Sequence, residues 1–280
     1  MGELPLPFRV YVEVFLIVLG GVGLGFLLLI RFLRSFKSGQ PIRILRRGLV
    51  FLFYGIMAFL ACSAFIPCFN PWGETLCHGP RSEKLVALTF DDGPNEPYTS
   101  QILDILKGYD VPAAFFVVGK NVERYPGVVE RMNREGFLVG NHTWDHRPLV
   151  WMRSDEAEKE ILGWERAMNG LGTPPAKLFR APHGWKSPWL VSLLKGRGYR
   201  FIGWSRGVWD SDQPGVDILF NRLTKEMTNG EIILLHDGAE ARAGVDRSQT
   251  VTILPAVIES YRKNGFQFVS LEEFLKRAPR

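Results

Sequence analysis

The chain has 280 residues, of which 46% are hydrophobic and 22% are charged, and its formal net charge is +5. This composition is ordinary for a globular protein, and the length allows one large domain with accessory segments. Residues 1–47 carry a net charge of +5, equal to that of the whole chain, so residues 48–280 are neutral. Because the basicity is confined to this short segment, it argues against nucleic acid as a partner.

Two long apolar stretches, at residues 10–30 and 49–69, flank a segment that contains six basic residues and no acid at residues 31–47. Each stretch is about 20 residues long, enough to cross a bilayer as a helix. A cleaved signal peptide followed by a core helix is the alternative, but a signal peptide carries its positive charge before a shorter apolar run. We therefore predict that residues 1–70 are a membrane anchor with two transmembrane helices, for which membrane lipids are the partners.

The charge of the segment between the two stretches predicts the topology. Short loops that are rich in Lys and Arg stay in the cytoplasm, so residues 31–47 are expected inside and both chain ends outside. The protein is thus expected in the cell (inner) membrane as a multi-pass protein, with the folded domain on the periplasmic or extracytoplasmic side.

The three cysteines all precede residue 78. Cys68 and Cys77 lie at the outer end of the second apolar stretch and could pair across the turn at residues 71–73. Unpaired small apolar residues are the favoured reading, because connectivity cannot be deduced from sequence. Residues 71–83 are rich in Gly, Pro and polar residues and predict a linker. Residues 84–280, the predicted catalytic domain, contain no cysteine, which excludes thiol catalysis and zinc–thiolate sites there.

From residue 84 onward, apolar runs alternate with amphipathic stretches. The short runs predict strands at residues 85–90, 113–118, 137–140, 178–180, 201–204, 232–235 and 266–269. The longer stretches predict helices at residues 98–107, 122–134, 155–168, 187–195, 216–227 and 250–263. Strand–helix alternation indicates a parallel sheet with helices outside it. About seven units favour a barrel related to the eightfold (β/α) barrel over an open doubly wound sheet.

Two adjacent carboxylates, Asp91 and Asp92, follow the first predicted strand and precede a Gly-Pro turn. Like charges side by side are tolerated if a cation or an arginine compensates them, or if one keeps a proton. Neighbouring side chains on an extended backbone point to different sides, so one carboxylate could bind a metal while the other faces a reacting water. A solvated turn is the alternative.

Other polar residues follow other predicted strands. His142 and His146 have a spacing that puts both imidazoles on one face of a helical turn, where they could hold one cation. Arg180 could orient a carboxylate, and it begins a Pro- and Gly-containing turn with His183. His236 follows an apolar strand. Parallel α/β enzymes build their sites at such strand ends.

These motifs resemble those of the NodB-type polysaccharide deacetylase family of carbohydrate esterases, over about residues 83–275. The resembling segments are TFDDGP, HTWDH, RAPHG, a Trp-containing stretch at residues 203–212, and LLHD. The resemblance implies a distorted (β/α) barrel that holds one divalent metal ion and hydrolyses the N-acetyl group of an amino sugar.

The resemblance also implies a role for each matched residue. Asp91 would be the general base, with Arg180 orienting it, and His236 would be the general acid. The metal ligands would be Asp92, His142 and His146, and the backbone N–H of His183 would help to bind the oxyanion.

The match is looser in two places. The aspartate that braces the catalytic histidine in the family corresponds here to Asp210 or, as second choice, Asp212. His183 stands where many members carry tyrosine, which leaves a backbone role intact and puts the substrate preference in doubt.

The expected function is metal-dependent removal of the N-acetyl group from an amino sugar in an envelope polysaccharide, peptidoglycan or lipid-linked glycan. The expected ion is Zn²⁺, although this ligand set also suits Co²⁺ and Ni²⁺. One alternative is an amidohydrolase for another acyl group, such as a deformylase. The other is a catalytically inactive, membrane-tethered glycan-binding module.

Overall fold

The structure is a computed structural model that describes residues 23, 25, 31, 40–171 and 175–277, which belong to two units, Met1–Phe65 and Ile66–Arg280. In the first unit, helix α1 spans Gln40–Phe65. Its Gly48–Phe65 portion has a mean hydropathy of 2.1 and is, in the described part of the chain, the one helix long and apolar enough to cross a membrane. Ile66 precedes Pro67, and a residue before proline is disfavoured in helical conformation, so the helix ends at Phe65 rather than at residue 69.

The first predicted span, residues 10–30, lies outside the described residues except for Gly23 and Gly25. The second predicted span corresponds to α1. The prediction of two transmembrane helices and the predicted membrane location therefore stay predictions.

The second unit alternates strands and helices. Its strands are β1 (Thr75–Leu76), β2 (Leu85–Asp91), β3 (Ala113–Val117), β4 (Leu138–Asn141), β5 (Leu178–Phe179), β6 (Arg200–Ile202), β7 (Arg206–Gly207), β8 (Glu231–His236) and β9 (Gln267–Phe268). Its helices are α2 (Tyr98–Gly108), α3 (Gly119–Arg124), α4 (Pro126–Arg134), α5 (Ser154–Met168), α6 (Pro188–Gly196), α7 (Val216–Thr224), α8 (Ser248–Lys263) and α9 (Leu271–Arg277). Short 3₁₀ turns occur at Leu149–Trp151, Pro182–Gly184 and Asp210–Asp212.

All nine strands belong to one sheet in the order β1-β6-β5-β4-β3-β2-β8-β7, and β9 also pairs with β2. Every pairing between these strands is parallel. Among the described strands, β1 and β7 are the two ends of the order and do not pair with each other, so the sheet is an open, curled half-barrel. The prediction of a parallel barrel-like α/β fold is confirmed, with two short strands at the ends that the sequence did not reveal.

Strand β2 lies at the centre of the core because both of its faces are buried. Val86, Leu88 and Phe90 pack with the outer helices, including α2 and α8. Leu85 and Ala87 face the inside of the curled sheet, which also holds residues of α9. A parallel strand that is covered on both faces has a continuous apolar sequence, which explains why 85–90 was easily recognised as a strand.

Two local differences from the sequence prediction have physical reasons. The helix predicted at 122–134 is broken into α3 and α4, because Pro126 begins α4 and restricts Tyr125 before it. Cys68 and Cys77 form a disulfide bond, so the favoured reading of unpaired cysteines is wrong. Strand β1 pairs with β6 beside the bond, a long-range contact that brings Cys77 into place and that local sequence does not encode.

Candidate active site

The predicted site residues converge at the carboxyl ends of the parallel strands. Asp91 ends β2, and His236 ends β8. His142 follows β4, and Arg180 follows β5. The ends of parallel strands meet at one edge of the sheet, which is why residues up to 145 positions apart in sequence form one cluster.

Asp92, His142 and His146 form a buried group whose possible ligand atoms all lie within 4.8 Å of one another. Oδ1 of Asp92 is 3.3 Å from Nε2 of His142 and 3.1 Å from Nε2 of His146. Burial opposes ionisation of Asp92, but the nearby imidazoles outweigh it and hold its pKa well below the ordinary value. The carboxylate is therefore ionised, as a metal ligand must be.

The chemistry of this donor set fits a divalent cation. Oδ1 of Asp92 is buried and receives no hydrogen bond from the described residues. Nδ1 of His142 lies 2.8 Å from the carbonyl oxygen of Arg180, which accepts its proton, so the lone pair of Nε2 would be available to a cation held between His142 and Asp92. Two imidazoles and one carboxylate around a common point are a set that binds zinc and leaves further positions open.

The two histidines do not lie on a helical turn, so that part of the prediction is wrong. The segment after β4 is a loop in which Thr143 and His146 have φ values of 70° and 55°. The loop is held by its own side chains: Oδ1 of Asn141 accepts from the N–H of Thr143, and Oγ1 of Thr143 accepts from the N–H of His146. The two imidazoles are nevertheless close together, because the conformation of this loop places them side by side.

Arg180 fixes the orientation of Asp91. Its guanidinium is fully buried and donates from Nη1 to Oδ1 of Asp91 at 2.7 Å and to Oγ1 of Thr89 at 2.9 Å. Nη2 donates to the carbonyl of Gly203 at 2.9 Å. With Oδ1 held in this way, Oδ2 of Asp91 is turned toward the Asp92–His142–His146 group, at 3.7 Å from Nε2 of His142.

Asp210 braces His236 at two points. Oδ1 of Asp210 is 2.8 Å from Nδ1 of His236, and Oδ2 accepts from its backbone N–H at 2.8 Å. Thr250 donates from Oγ1 to the same Oδ2. Asp212 makes no such contact, which distinguishes the two aspartates that the sequence left open.

The pKa of His236 is strongly perturbed. Burial lowers it, but the charge and hydrogen bond of Asp210 outweigh burial, and Asp92 and Asp91 add to the effect. Together they raise the pKa of His236 to about 9. The imidazole is therefore protonated at neutral pH, and Nε2 can donate a proton.

His183 lies beside the candidate metal-binding group, Asp92, His142 and His146. The turn Pro182–Gly184 places the His183 ring 5.0 Å from that of His146 and 4.8 Å from that of Trp185. His183 and Gly184 have φ values of 59° and 73°, so two successive residues adopt the left-handed region. All eight site residues predicted from the sequence are thus brought together.

Comparison with known proteins shows the family to which the chain belongs. The family profile described as polysaccharide deacetylase matches residues 78–202. A peptidoglycan-N-acetylglucosamine deacetylase from Bacillus cereus is 36% identical over 212 residues, covering 74% of this chain and 95% of the relative. The chain belongs to the polysaccharide deacetylase family.

Two further similarities agree with this membership. A chitooligosaccharide deacetylase from Sinorhizobium fredii is 35% identical over 195 residues, which cover 67% of this chain and 90% of that protein. A crystal structure of a peptidoglycan N-acetylglucosamine deacetylase in complex with an N-hydroxybenzamide aligns with a TM-score of 0.68 and 31% identity. It covers 73% of this chain and 94% of that chain.

The family profile ends at residue 202, before Asp210 and His236. The positions of these two residues in the site are therefore taken from the structure. His236 is the register partner of Asp91 on the adjacent strand. Asp210 lies in the 3₁₀ turn Asp210–Asp212, which follows β7, the strand on the other side of β8 from β2.

Several supporting residues of this polysaccharide deacetylase were missed by sequence reasoning. Asn121 donates from its side chain to the carbonyl oxygens of Asp92 and Glu240, both at 2.8 Å. Oδ2 of Asp237 accepts from Thr99, and burial raises the pKa of Asp237 to about 7. The position of Asp237 in the LLHD segment was a usable signal, whereas nothing near Asn121 in sequence indicates its partners.

Proposed function

We propose that this chain hydrolyses the N-acetyl group of an amino sugar in an envelope polysaccharide, peptidoglycan or lipid-linked glycan, with one divalent metal ion. The observation that carries the proposal is the arrangement of three groups at one sheet edge. A carboxylate oriented by Arg180, a protonated His236 and the Asp92–His142–His146 group supply a base, an acid and a cation site.

Asp92, His142 and His146 would hold the ion, which when bound polarises the amide carbonyl and makes water more acidic. Oδ2 of Asp91 would accept the proton of the attacking water, while the bonds from Arg180 keep Oδ1 occupied. The backbone N–H of His183 would donate to the oxygen that becomes negatively charged. Nε2 of His236 would protonate the departing amine, since Asp210 holds Nδ1.

The substrate class is proposed from the relatives. Their names give peptidoglycan N-acetylglucosamine and chitooligosaccharides as substrates, and both are N-acetylated amino sugars. The presence of every base, acid and ligand residue supports an enzyme over an inactive glycan-binding module. A deformylase-like activity remains the second candidate from the sequence, and no contact in the described site favours it.

The proposed cellular location is the extracytoplasmic face of the cell membrane. The apolar helix α1 and the basic segment at residues 31–47 support it through the positive-inside rule. The disulfide between Cys68 and Cys77 also supports an oxidising compartment.

The full-length protein in detergent should release acetate and a free amine from N-acetylated chito-oligosaccharides or peptidoglycan fragments. N-formyl and N-acetyl substrates are to be compared, and faster deformylation would favour the second candidate. No hydrolysis of either substrate by metal-loaded protein would contradict an enzymatic function.

His236→Ala should lose most of its amide hydrolysis and recover much of it on an activated aryl acetate ester, whose leaving group needs no proton. The matched control is His78→Ala, which removes an exposed histidine and should hydrolyse both substrates at the wild-type rate. Equal losses of His236→Ala on amide and ester would contradict the acid role.

A further inference from the structure

Lys186 is a buried lysine whose partners are backbone carbonyls. Its side chain is fully buried, and Nζ donates to the carbonyl oxygens of Ile66 at 2.7 Å and Pro67 at 3.0 Å. No carboxylate among the described residues acts on the charge of Nζ, and burial lowers the pKa of Lys186 to about 8. A lysine is almost never fully buried without an ion pair, so within the described part of the chain these two bonds are what compensates for its burial.

The two carbonyls belong to a connecting segment, residues 66–77, that precedes the part matched by the family profile. Its far end is fixed by the pairing of β1 with β6, and the disulfide joins Cys68, which follows Pro67, to Cys77 at that end. Lys186 fixes its near end. The connecting segment is therefore attached to the catalytic unit at both ends.

The connecting segment packs against the turn that carries His183. A Cβ added at Gly184 would lie 2.7 Å from Cγ of Pro67 and 2.6 Å from Cη2 of Trp204. His183, which is not a glycine, has a positive φ, a conformation that persists only where the surroundings enforce it. Pro67, held by Lys186, is part of those surroundings.

The connecting segment also touches the support of Arg180. Sγ of Cys68 is 3.0 Å from the carbonyl oxygen of Trp204. A Cβ at Gly203 would lie 2.5 Å from Sγ of Cys77, and the carbonyl of Gly203 is the one that accepts from Arg180. The connecting segment thus packs against both the turn Pro182–Gly184 and the residues that support Arg180.

We propose that Lys186 is a positioning residue that locks the connecting segment against Pro182–Gly184 and Gly203–Trp204, which holds the His183 N–H and Arg180 where amide hydrolysis needs them. This inference rests on the proposed function. An oxyanion donor acts only within a narrow range of distances, and a displacement of about 1 Å can cost roughly a hundredfold in rate.

The test uses Lys186→Met in the full-length protein, which keeps the length of the side chain and removes its donors. We expect kcat to fall roughly ten- to a hundredfold, with KM nearly unchanged and metal content at the wild-type level. The loss should be equal on the amide and on an activated aryl acetate ester, because a carbonyl oxyanion forms in both reactions. His236→Ala is expected to differ, since its loss is relieved on the ester.

The matched control is Lys195→Met, which removes an exposed lysine of α6 and should leave both rates unchanged. If Lys186→Met does not fold, Pro67→Ala decides, because it removes the ring that packs against Gly184 and leaves no buried polar group unpaired. It should show the same equal loss on amide and ester.

A folded, metal-loaded Lys186→Met with wild-type kcat would overturn the proposal, as would a loss confined to KM. If only Pro67→Ala folds, wild-type kcat in that variant would overturn it. These outcomes differ from a failure of the proposed function, in which the wild-type protein itself hydrolyses no substrate.

Discussion

At the residue scale, Asp91 and Asp92 are neighbours in sequence with different surroundings. Arg180 holds Asp91, and two imidazoles face Asp92. The backbone of Asp92 has a φ of 74°, which turns its side chain away from the direction that continued strand geometry would give. The two carboxylates therefore reach different partners, which is the division that the sequence predicted from adjacent positions.

We expect substitutions of the two carboxylates to affect metal content and activity differently. Asp92→Ala should lose metal and activity together, because the ligand set is incomplete. Asp91→Asn should retain metal and lose about 10²–10⁴-fold in kcat, because only the base is removed. Metal analysis after dialysis against a mild chelator, followed by kinetics, separates these outcomes. Loss of metal from Asp91→Asn would show that Asp91 is a ligand instead.

The pairing of Asp210 with His236 predicts a pH dependence. His236 must be protonated to act as an acid, so activity should be present below its raised pKa of about 9 and fall as the pH rises through that value. Asp210→Asn removes the charge that raises this pKa, and the alkaline limb of kcat/KM should move to lower pH. Asp212→Asn, which alters a neighbour without contact to His236, is the control. An unmoved alkaline limb in Asp210→Asn would assign that limb to another group.

At the element scale, the turn after β2 leaves no room for a side chain. A Cβ at Gly93 would lie 2.0 Å from Oδ2 of Asp237, which is buried and bonded to Thr99. Glycine is therefore required for β2 and β8 to approach each other at the site.

Gly93→Ala should lower the free energy of unfolding by about 1–3 kcal/mol, as overpacking of a buried site does. Gly127→Ala is a matched control, because no atom lies within 4 Å of an added Cβ in helix α4. It should be neutral or slightly stabilising. Denaturant unfolding monitored by circular dichroism measures both, and equal stability of the two variants would show that the turn can adjust.

The elements that the sequence revealed are those with long local patterns. Strand β2 has a continuous apolar run, and the helices have clear periodicity. Strands β1 and β7 have two residues each and, unlike the equally short β5 and β9, do not lie within an apolar run, so they form because longer strands offer an edge. The site residues were predicted because they follow recognisable strands. The hydrogen bond between Lys186 and Ile66 joins residues 120 positions apart, and no pattern in the sequence near either residue indicates it.

At the scale of the whole molecule, the predicted topology places residues 84–280 outside the cytoplasm. A reporter enzyme that is active only in the periplasm or exterior, fused after Arg280, should therefore be active. The same fusion with a cytoplasm-dependent reporter should be inactive and serves as the control. The reverse pattern would place the substrate in the cytoplasm and would remove the support that an oxidising compartment gives to the Cys68–Cys77 bond.

Asp91 and His236 are register partners on adjacent parallel strands. Neighbouring strands in a sheet are about 4.7–4.9 Å apart, so this spacing is set by backbone hydrogen bonds and not by any loop. Loops at the sheet edge can lengthen, shorten or exchange side chains without changing the separation of Asp91 and His236. The half-barrel would thereby let the surroundings of the proposed base and acid vary while the two residues keep one fixed spacing, and a one-residue slip of β8 would turn the histidine to the opposite face.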